Sequence, residues 1–396
     1  MEYFFINDLI SEKISGEWGS DPTSGKCVKV IRTTNFTNEG KIKFSNIVER
    51  DILESKVEKK RLKKGDIIIE KSGGSPTQPV GRVVFFDVED NDIYLCNNFT
   101  SILRPSKKIL PKFLFYSLFF LHLNNKTLKY QNKTTGIINL QLDRYIKTEK
   151  IPLLSLKDQQ VIINILDKSD IILQKRRESI SLLDDYLKSV FFEMFGDPVK
   201  NTKKWKKEPL NYFGKIITGN TPPRSDVNNY SSNYIEWIKT DNIVEGEIYI
   251  TNAAEYLSES GLNKSRFVEP GAVLIACIAG SVESIGRVAI TNRRVAFNQQ
   301  INAIQSNKNV NPLFLYWLIK NSKKYILSHA SKGMKKILTK GVFEKIVMIL
   351  PPVYLQNEFA LEAEKVELLK GKMVSQSKEL ENQFQALMQN AFKGEL

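Results

Sequence analysis

Residues 155–196 read SLKDQQVIINILDKSDIILQKRRESISLLDDYLKSVFFEMFG and contain neither a proline nor an internal glycine. Their apolar residues alternate four and three positions apart, which is the spacing of one face of a helix. This spacing predicts a helix from about Asp158 to Phe195, roughly 55 Å long at about 1.5 Å per residue. Because one compact domain does not need a helix of that length, its apolar face requires an equally long partner.

Residues 354–396 supply a matching helix. The two stretches superpose without a gap at an offset of 197 residues, which places Gln159 on Gln356 and Leu183 on Leu380. Any two amphipathic helices can be slid into some register, so the match needs support from the rest of the chain. We predict that the helices pair antiparallel through Ile162, Leu166, Leu173, Ile180, Leu183, Leu187, Phe359, Val366, Met373, Leu380, Phe384 and Leu387.

The sequence outside the helices is also duplicated. IRTTNF at residue 31 recurs as IKTDNI at 238, KGDIII at 64 as PGAVLI at 270, VGRV at 80 as IGRV at 285, and PKFLFY at 111 as PLFLYW at 312. The order is preserved, as expected for an internal repeat. In the first copy we predict strands at 28–31, 66–69, 81–86 and 93–96, a helix at Pro111–Leu123, and a loop at the glycine- and proline-rich residues 72–81.

These patterns define the expected architecture. The fold class is α+β, with two similar mixed α/β domains separated by two long antiparallel coiled-coil helices in a pseudo-twofold internal repeat. We place the first domain at residues 1–153, the first long helix at 154–197, the second domain at 198–350 and the second long helix at 351–396.

The composition favours a polyanionic partner. Lysine and arginine total 58 against 44 aspartate and glutamate residues, a formal net charge of +14, which attracts nucleic acid or anionic lipid. No apolar run approaches a membrane span, and residue 1 is not followed by a basic region and an apolar segment. We therefore expect a cytoplasmic protein without a membrane partner.

Catalytic signatures are weak throughout the chain. Three widely spaced cysteines and two histidines offer no zinc spacing, no disulfide framework and little material for a histidine triad. LPPVY at residue 350 lacks the Asp or Asn of an amino-methyltransferase motif, and residues 280–287 have the wrong spacing for a phosphate loop. We expect no catalytic residue, no metal and no cofactor in this chain.

Each domain carries a polar, basic stretch before its closing helix. Such stretches supply donors for phosphates and groups that reach base edges, with Asn and Gln suited to adenine and Arg to guanine. Any one of these residues could instead lie in a solvated loop, so the prediction rests on the recurrence. In these stretches, residues 129–136 and 328–336, the candidate DNA contacts are Lys129, Gln131, Lys133, Thr134, Lys332, Lys335 and Lys336. Further polar candidates outside them are Asn35, Gln78, Arg224, Asn242 and Gln299.

Four segments resemble a known family. PLLSLKDQQ at 152–160, LKSVFFEMFGDP at 187–198, LPP at 350–352 and AFKGEL at 391–396 look like the specificity subunit of type I restriction-modification enzymes, over nearly the whole chain. The first helix departs from the family in following IPLL rather than Leu-Pro-Pro.

The resemblance implies a non-catalytic subunit. Each of its two target recognition domains would read half of a bipartite, asymmetric site in double-stranded DNA, and the helix pair would set the unread spacer. Partners would be two modification (methyltransferase) subunits that use S-adenosylmethionine, with or without restriction subunits that use ATP and Mg²⁺.

Two alternatives stay open at the level of sequence. The paired helices could be the working surface of an interaction scaffold that does not bind DNA, with the basic charge aiding solubility. The chain could also be the recognition module of a combined methyltransferase-nuclease. Salt-sensitive binding to duplex DNA would distinguish the first alternative from a DNA reader.

Overall fold

The structure, a computed structural model, describes residues 2–23, 27–75, 78–134, 137–278, 284–331 and 337–393, without the side chains of residues 133 and 134. The chain divides into two compact units, Met1–Arg176 with Gln376–Leu396, and Arg177–Ser375. Each unit holds one mixed domain and a part of each long helix. The division therefore cuts both helices, and the boundaries at 153, 197 and 350 remain predictions.

The first unit is built from short strands and helices followed by one long helix. Its strands are β1 (Glu2–Phe5), β2 (Ile10–Ser15), β3 (Cys27–Ile31), β4 (Val48–Asp51), β5 (Ile67–Glu70), β6 (Ser72–Gly74), β7 (Val83–Phe85), β8 (Tyr94–Cys96), β9 (Thr100–Pro105), β10 (Gln131–Thr134), β11 (Ile137–Leu140) and β12 (Lys150–Leu153). Its helices are α1 (Ile6–Leu9), α2 (Glu54–Lys60), α3 (Pro111–Leu123), α4 (Leu142–Thr148) and the start of α5 (Leu156–Phe195).

The strands of this unit form four small sheets. An antiparallel sheet has the order β2-β9-β5-β7, a second has the order β4-β3-β8 with β3 parallel to β8, and a third has the order β10-β11-β6. Strand β1 pairs with β12. The core packs α3 against the start of α5, with Phe113, Leu166 and Met388 completely buried.

The predicted helix and strands of the first domain are confirmed, but one loop is wrong. Helix α3 has the predicted bounds and begins with proline at its first turn, where the missing N–H costs nothing. Residues 72–81 are not all loop, because Ser72–Gly74 forms β6 and pairs with β11. A Cβ at Gly74 would lie 2.8 Å from Val80 Cγ1, so glycine permits this close approach rather than preventing a strand.

The second unit repeats the same kinds of element. Its strands are β13 (Lys207–Pro209), β14 (Gly214–Thr218), β15 (Ile235–Ile238), β16 (Tyr256–Leu257), β17 (Phe267–Val268), β18 (Ala272–Ala276), β19 (Val288–Ile290), β20 (Val295–Phe297), β21 (Ile301–Ser306) and β22 (Val347–Ile349). Its helices are α6 (Glu259–Asn263), α7 (Pro312–Asn321), α8 (Lys323–Ser328), α9 (Lys340–Phe343) and the start of α10 (Val353–Lys393).

The sheet order confirms the internal repeat. The order β14-β21-β18-β19 matches β2-β9-β5-β7, and the parallel pair β15-β20 matches β3-β8. Strands β13 and β22 pair as β1 and β12 do. The two domains thus share one topology although their loops differ in length.

Within the second unit, α5 and α10 run antiparallel. Moving back along α5, Phe191 meets Phe359 with ring centroids 5.5 Å apart, Tyr186 Oη donates to Glu362 at 3.0 Å, and Asp184 pairs with Lys370 at 2.9 Å. All twelve residues assigned to helix pairing are buried or half-buried. Several of them pack on the domains as well, since Leu187 and Phe359 share a core with α7.

A buried glutamine ties the start of each long helix to its own domain. Gln159 Oε1 accepts the N–H of Leu110 at 2.8 Å, and its amide donates to the carbonyl of Leu154 at 2.9 Å. Gln356 likewise accepts from the N–H of Asn311 at 2.9 Å and donates to Pro351 at 2.8 Å. Both glutamines are fully buried, so the 197-residue offset matches residues with the same structural role.

None of the helices in the described ranges combines the length and the hydropathy that crossing a membrane requires. The same residues contain no group of three or more His, Cys, Asp or Glu side chains placed to hold a metal ion. Burial raises the pKa of Cys96 to about 11 and that of Cys277 to about 12. Neither of these two thiols is therefore set to ionise near neutral pH.

Candidate nucleic-acid interface

Two stretches that the sequence selected separately form one surface in the first unit. Strand β11 lies between β10, from the polar stretch before the closing helix, and β6, from the glycine- and proline-rich segment. Gln131 Nε2 donates to the carbonyl of Val80 at 3.0 Å, and the N–H of Leu140 donates to Lys71 at 2.8 Å. The sheet therefore brings candidates from residues 78 and 129–134 together.

The side chains on this surface differ in how firmly they are held. Gln78 is exposed, and its N–H donates to Ser75 Oγ at 3.1 Å in a tight turn. Lys129 Nζ lies 2.5 Å from Glu149 and 5.1 Å from the ring centroid of Tyr130. The hydrogen bond with Glu149 raises the pKa of Lys129, which stays charged and about 58% exposed. Lys133 and Thr134 lie on β10, and their side chains fall outside the described part.

The second unit joins the corresponding segments in the same way. The N–H of Leu338 donates to the carbonyl of Cys277 at 3.1 Å, as Leu140 does to Lys71 in the first unit. The N–H of Ile337 donates to Ser331 Oγ at 3.0 Å. The candidates Lys332, Lys335 and Lys336 lie outside the described residues, but the residues that flank them occupy the expected place in the repeat.

Arg224 is held in place and remains half exposed. Its guanidinium lies over the rings of Tyr230 and Trp237, 4.5 and 5.0 Å from their centroids, and Nη2 lies 2.6 Å from Glu255. A hydrogen bond from Lys239 lowers the pKa of Glu255, and Arg224 adds to the effect. About 54% of the Arg224 side chain is exposed, so this preorganised guanidinium keeps donors for a phosphate or a guanine.

Gln299 belongs to the same face as the Arg224 loop. Thr221, three residues before Arg224, hydrogen-bonds to the side chain of Gln299, which is exposed. The two segments can approach because Gly219 has no side chain; a Cβ there would lie 2.2 Å from the carbonyl oxygen of Asn298. Residues 221–224 and Gln299 thus form a second polar cluster in this unit.

Asn35 and Asn242 have another role than the base contacts expected of them. Each ends a short 3-10 helix, Thr33–Asn35 or Thr240–Asn242, and is less than 10% exposed. Asn35 Oδ1 accepts the N–H of Arg32 at 3.0 Å and Nδ2 donates to Lys43; Asn242 makes the same bonds to Lys239 and Asn252. Because their amides stabilise matched turns, we correct their assignment from DNA contacts to turn residues.

A cation–π contact between Arg50 and Trp18 was not predicted from the sequence. Arg50 lies 4.4 Å over the ring of Trp18 and donates to backbone carbonyls of the adjacent loop. Only 14% of its side chain is exposed, so it stabilises that loop while Arg224 presents its guanidinium. Trp18 and Arg50 are far apart in sequence, and the antiparallel bridge between Ser20 and Asp51 brings their segments together, so no local signal could have joined them.

A family model decides what the duplicated fold represents. The model for the type I restriction modification DNA specificity domain matches residues 20–182 and 202–361. These two matches cover most of the chain and coincide with the two repeats.

The chain belongs to the type I restriction-modification DNA specificity family. It is 30% identical over 152 residues to the HindI specificity subunit of Haemophilus influenzae, covering 37% of this chain and 32% of that protein. It is 24% identical over 233 residues to the MjaVIII specificity subunit of Methanocaldococcus jannaschii, covering 55% of this chain and 54% of the relative. These alignments therefore span about a third and about half of the curated relatives.

Two solved structures show the same fold. A chain from a structure describing assembly and conformational transition of a type I restriction-modification system matches with a TM-score of 0.61 at 18% identity, covering 100% of this chain and 98% of that one. The type I S subunit from M. genitalium matches with a TM-score of 0.55 at 14% identity, covering 99% and 96%. At these identities the likeness supports the fold alone.

Proposed function

We propose that this chain is the DNA sequence-specificity subunit of a type I restriction-modification complex. Each domain would bind one half of a bipartite, asymmetric site in duplex DNA, and the length of α5 and α10 would set the spacer. The observation that carries the proposal is the surface of β10, β11 and β6 in the first domain, together with its hydrogen bond from Leu140 to Lys71, which recurs in the second domain as Leu338 to Cys277. Basic charge supplies the sequence-independent part of the affinity.

The two half-sites should differ in sequence. The first domain presents the amide of Gln78 and the charge of Lys129, whereas the second presents the guanidinium of Arg224 and the amide of Gln299. Since Gln favours adenine and Arg favours guanine, these sets suit different bases. The proposal leaves methylation to two modification subunits that bind S-adenosylmethionine, and cleavage, where present, to restriction subunits that use ATP and Mg²⁺.

Methylome sequencing with matched variants tests the proposal. Gln78→Ala should change the methylated sequence only in one half-site, and Arg224→Ala only in the other, at a cost of about 1–3 kcal/mol for a lost base contact. Each variant is the control for the other. If both variants changed both halves, or if neither variant changed the methylated sequence, the independent reading of half-sites would be refuted.

A salt titration separates a DNA reader from an interaction scaffold. Several phosphate contacts should make duplex binding weaken steeply as salt rises. The logarithm of the binding constant, plotted against the logarithm of the salt concentration, should have a slope of about −0.9 per contact. Little affinity at low salt, with the modification subunits present, would instead favour the scaffold.

Insertion of one heptad near Ile172 together with one near Leu369, which are matched positions, should lengthen the spacer and leave both half-sites unchanged.

A further inference from the structure

The first unit contains a cavity of about 330 Å³ that the proposed DNA function does not use. It lies between the loop at residues 39–44, α3 and α5. Phe85, Phe115 and Phe119 supply an aromatic wall, in which Phe115 and Phe119 stack with centroids 5.7 Å apart. Gly40 closes one side, because a Cβ there would lie 2.7 Å from Phe115. The walls are thus formed by packed side chains.

Acidic groups outnumber basic groups around this cavity. Its lining includes four carboxylates, Glu39, Asp87, Asp167 and Asp170, and two lysines. Lys41 pairs with Asp170 at 2.8 Å and Lys112 with Asp167 at 2.7 Å. Lys64, outside the lining, also lies 3.6 Å from Asp87. Counting it, the four carboxylates exceed the lysines by one formal negative charge in a chain whose net charge is +14, which disfavours phosphate and favours a cation.

At the equivalent position of the second unit, a lysine side chain of the chain itself lies on aromatic rings. There Glu245-Gly246 matches Glu39-Gly40, and Lys320 replaces Phe119. Lys320 Nζ lies 4.3 Å from the ring centroid of Trp317 and 5.4 Å from that of Tyr316. The cavity at this position measures only about 30 Å³. A lysine of the chain itself lies here on aromatic rings, in the arrangement of a cation–π contact.

A second lysine fills the same region. Lys370 replaces Leu173 of the first repeat. Its Nζ lies 2.9 Å from Asp184 and donates to the carbonyl of Gly246 at 3.2 Å. In the first unit the corresponding leucine is buried in the core and brings no charge to the loop. The first repeat lacks these two lysines and has the larger cavity. Lys41 and Lys112 keep their pairs with Asp170 and Asp167 there, and Lys112 Nζ lies 6.0 Å from the ring centroid of Phe85.

We propose that the cavity of the first unit binds a primary ammonium group on a short apolar stem. The stem would lie against Phe85, Phe115 and Phe119, and the ammonium would face the carboxylates of Asp87 and Asp170, as Lys320 and Lys370 face rings and a carboxylate in the second unit. The ligand is either a free amine or a lysine side chain of another protein. No covalent step is involved.

Binding of two amine probes to the full chain tests this assignment. Phenethylammonium represents a free amine, and N-acetyl-lysine methylamide represents a lysine side chain. At least one of them should bind by isothermal titration calorimetry about tenfold more tightly than its neutral counterpart, 2-phenylethanol or N-acetyl-norleucine methylamide. Tenfold corresponds to about 1.4 kcal/mol, within the range for a desolvated cation on an aromatic wall. The tighter probe identifies the source.

Variants place the binding in this cavity. Phe119→Lys, which copies the second repeat, should abolish binding, and Asp87→Asn with Asp170→Asn should weaken it at least fivefold without changing the thermal unfolding of the second unit. Glu54→Gln, an exposed carboxylate on α2, is the matched control and should change nothing. Equal affinity for charged and neutral probes, or binding unaffected by the Asp87→Asn/Asp170→Asn variant, overturns the proposal whether or not Phe119→Lys folds. DNA binding is measured in parallel, so a failure here is distinct from a failure of the DNA function.

Discussion

At the scale of single residues, Gln159 and Gln356 make hydrogen bonds that the apolar residues of the same helices cannot make. Each accepts the N–H of the residue just before the domain's apolar helix, Leu110 or Asn311, and donates to the backbone just before its own helix. Glutamine supplies both an acceptor and donors on one side chain, which leucine cannot. The pair therefore fixes how each long helix leaves its domain.

Replacing either glutamine by leucine should destabilise its own unit. Gln159→Leu leaves the buried N–H of Leu110 and the carbonyl of Leu154 without the partners they have now, at an expected cost of about 1–3 kcal/mol for each unsatisfied group. Urea denaturation measures the loss. Gln160→Ala, on the exposed side of the same turn, is the control and should stay within about 0.5 kcal/mol. Equal stability of the two variants would contradict this role.

His122 should make the first unit sensitive to acid. Burial lowers the pKa of His122 from 6.5 to about 4, and Arg82 contributes in the same direction. Between those two values the unfolded chain binds a proton that the folded unit does not, so stability rises with pH and is lost as the pH falls from about 6.5 toward about 4. The loss should be on the order of 2 kcal/mol at about pH 5.

His122→Gln tests that prediction, because glutamine does not titrate. Urea midpoints measured at pH 7 and pH 5 should differ less for the variant than for the unsubstituted chain. His329→Gln changes an exposed histidine and serves as the control. An unchanged pH dependence in His122→Gln would assign the acid sensitivity to other groups.

The sequence predicted candidate residues but not the contacts that each of them makes in the fold. Asn35 and Asn242 were found through the repeat, and the match is real, but what recurs is a turn in which the amide bonds to the backbone. Arg224 gains its fixed position from Glu255, which lies 31 residues away. Such contacts depend on how strands pair, and a single sequence does not show that pairing.

At the scale of elements, two glycines of the second unit have similar surroundings but different backbone conformations. A Cβ at Gly371, inside α10, and one at Gly246, in a loop, would both meet open space within 4 Å. Gly246 differs in its φ of +92°, which side chains rarely adopt. The two positions therefore isolate the conformational preference of glycine from any steric effect.

Gly371→Ala should stabilise the second unit by about 0.5–1 kcal/mol, because alanine loses less conformational freedom in a helix interior. Gly246→Ala, the matched control, should destabilise it by about 1–2 kcal/mol because of its positive φ. Thermal unfolding of the two variants measures the difference. If both changes shifted the midpoint in the same direction, open space would matter more than backbone conformation at these positions.

Elements with a strong local pattern were predictable, and those held by distant partners were not. The bounds of α3 follow from Pro111 and an apolar run, and α5 begins within two residues of the predicted start. Strand β6 was missed because glycine and proline mark loops, whereas here Ser72–Gly74 pairs with β11, more than 60 residues away. Phe191 and Met388 are fully buried, but neither was among the predicted helix-pairing residues, because their burial depends on how the domains pack on the helices.

At the scale of the whole molecule, the first unit depends on a segment remote in sequence. Phe392 packs on Phe113 and Phe120 with centroids 5.5 and 5.3 Å apart, and Phe384 lies near Tyr116 at 6.4 Å. These rings belong to Gln376–Leu396, which is part of the first unit although the second unit precedes it in sequence. The two compact units are therefore not consecutive pieces of chain.

A chain that ends after Ser375 should lose the first unit and keep the second. Removal of Phe384, Met388 and Phe392 uncovers the core beside α3, and deleting one such aromatic side chain already costs about 3–5 kcal/mol. Calorimetry should show one unfolding transition instead of two, and hydrogen exchange should become fast in β2, β5 and β9. The control is Lys378→Ala, an exposed change on the same helix. Full protection of these strands in the shortened chain would refute the dependence.

The same division has a consequence for synthesis. As the chain leaves the ribosome, Met1–Arg176 emerges first, but its core stays open until Gln376–Leu396 has been made. Arg177–Ser375 is continuous, so it can close while the earlier segment still waits. Long-range closure is slow, and apolar surface left exposed during that time favours aggregation. We therefore expect the core of the N-terminal domain, although that domain is synthesised first, to be completed only after Gln376–Leu396 has been made.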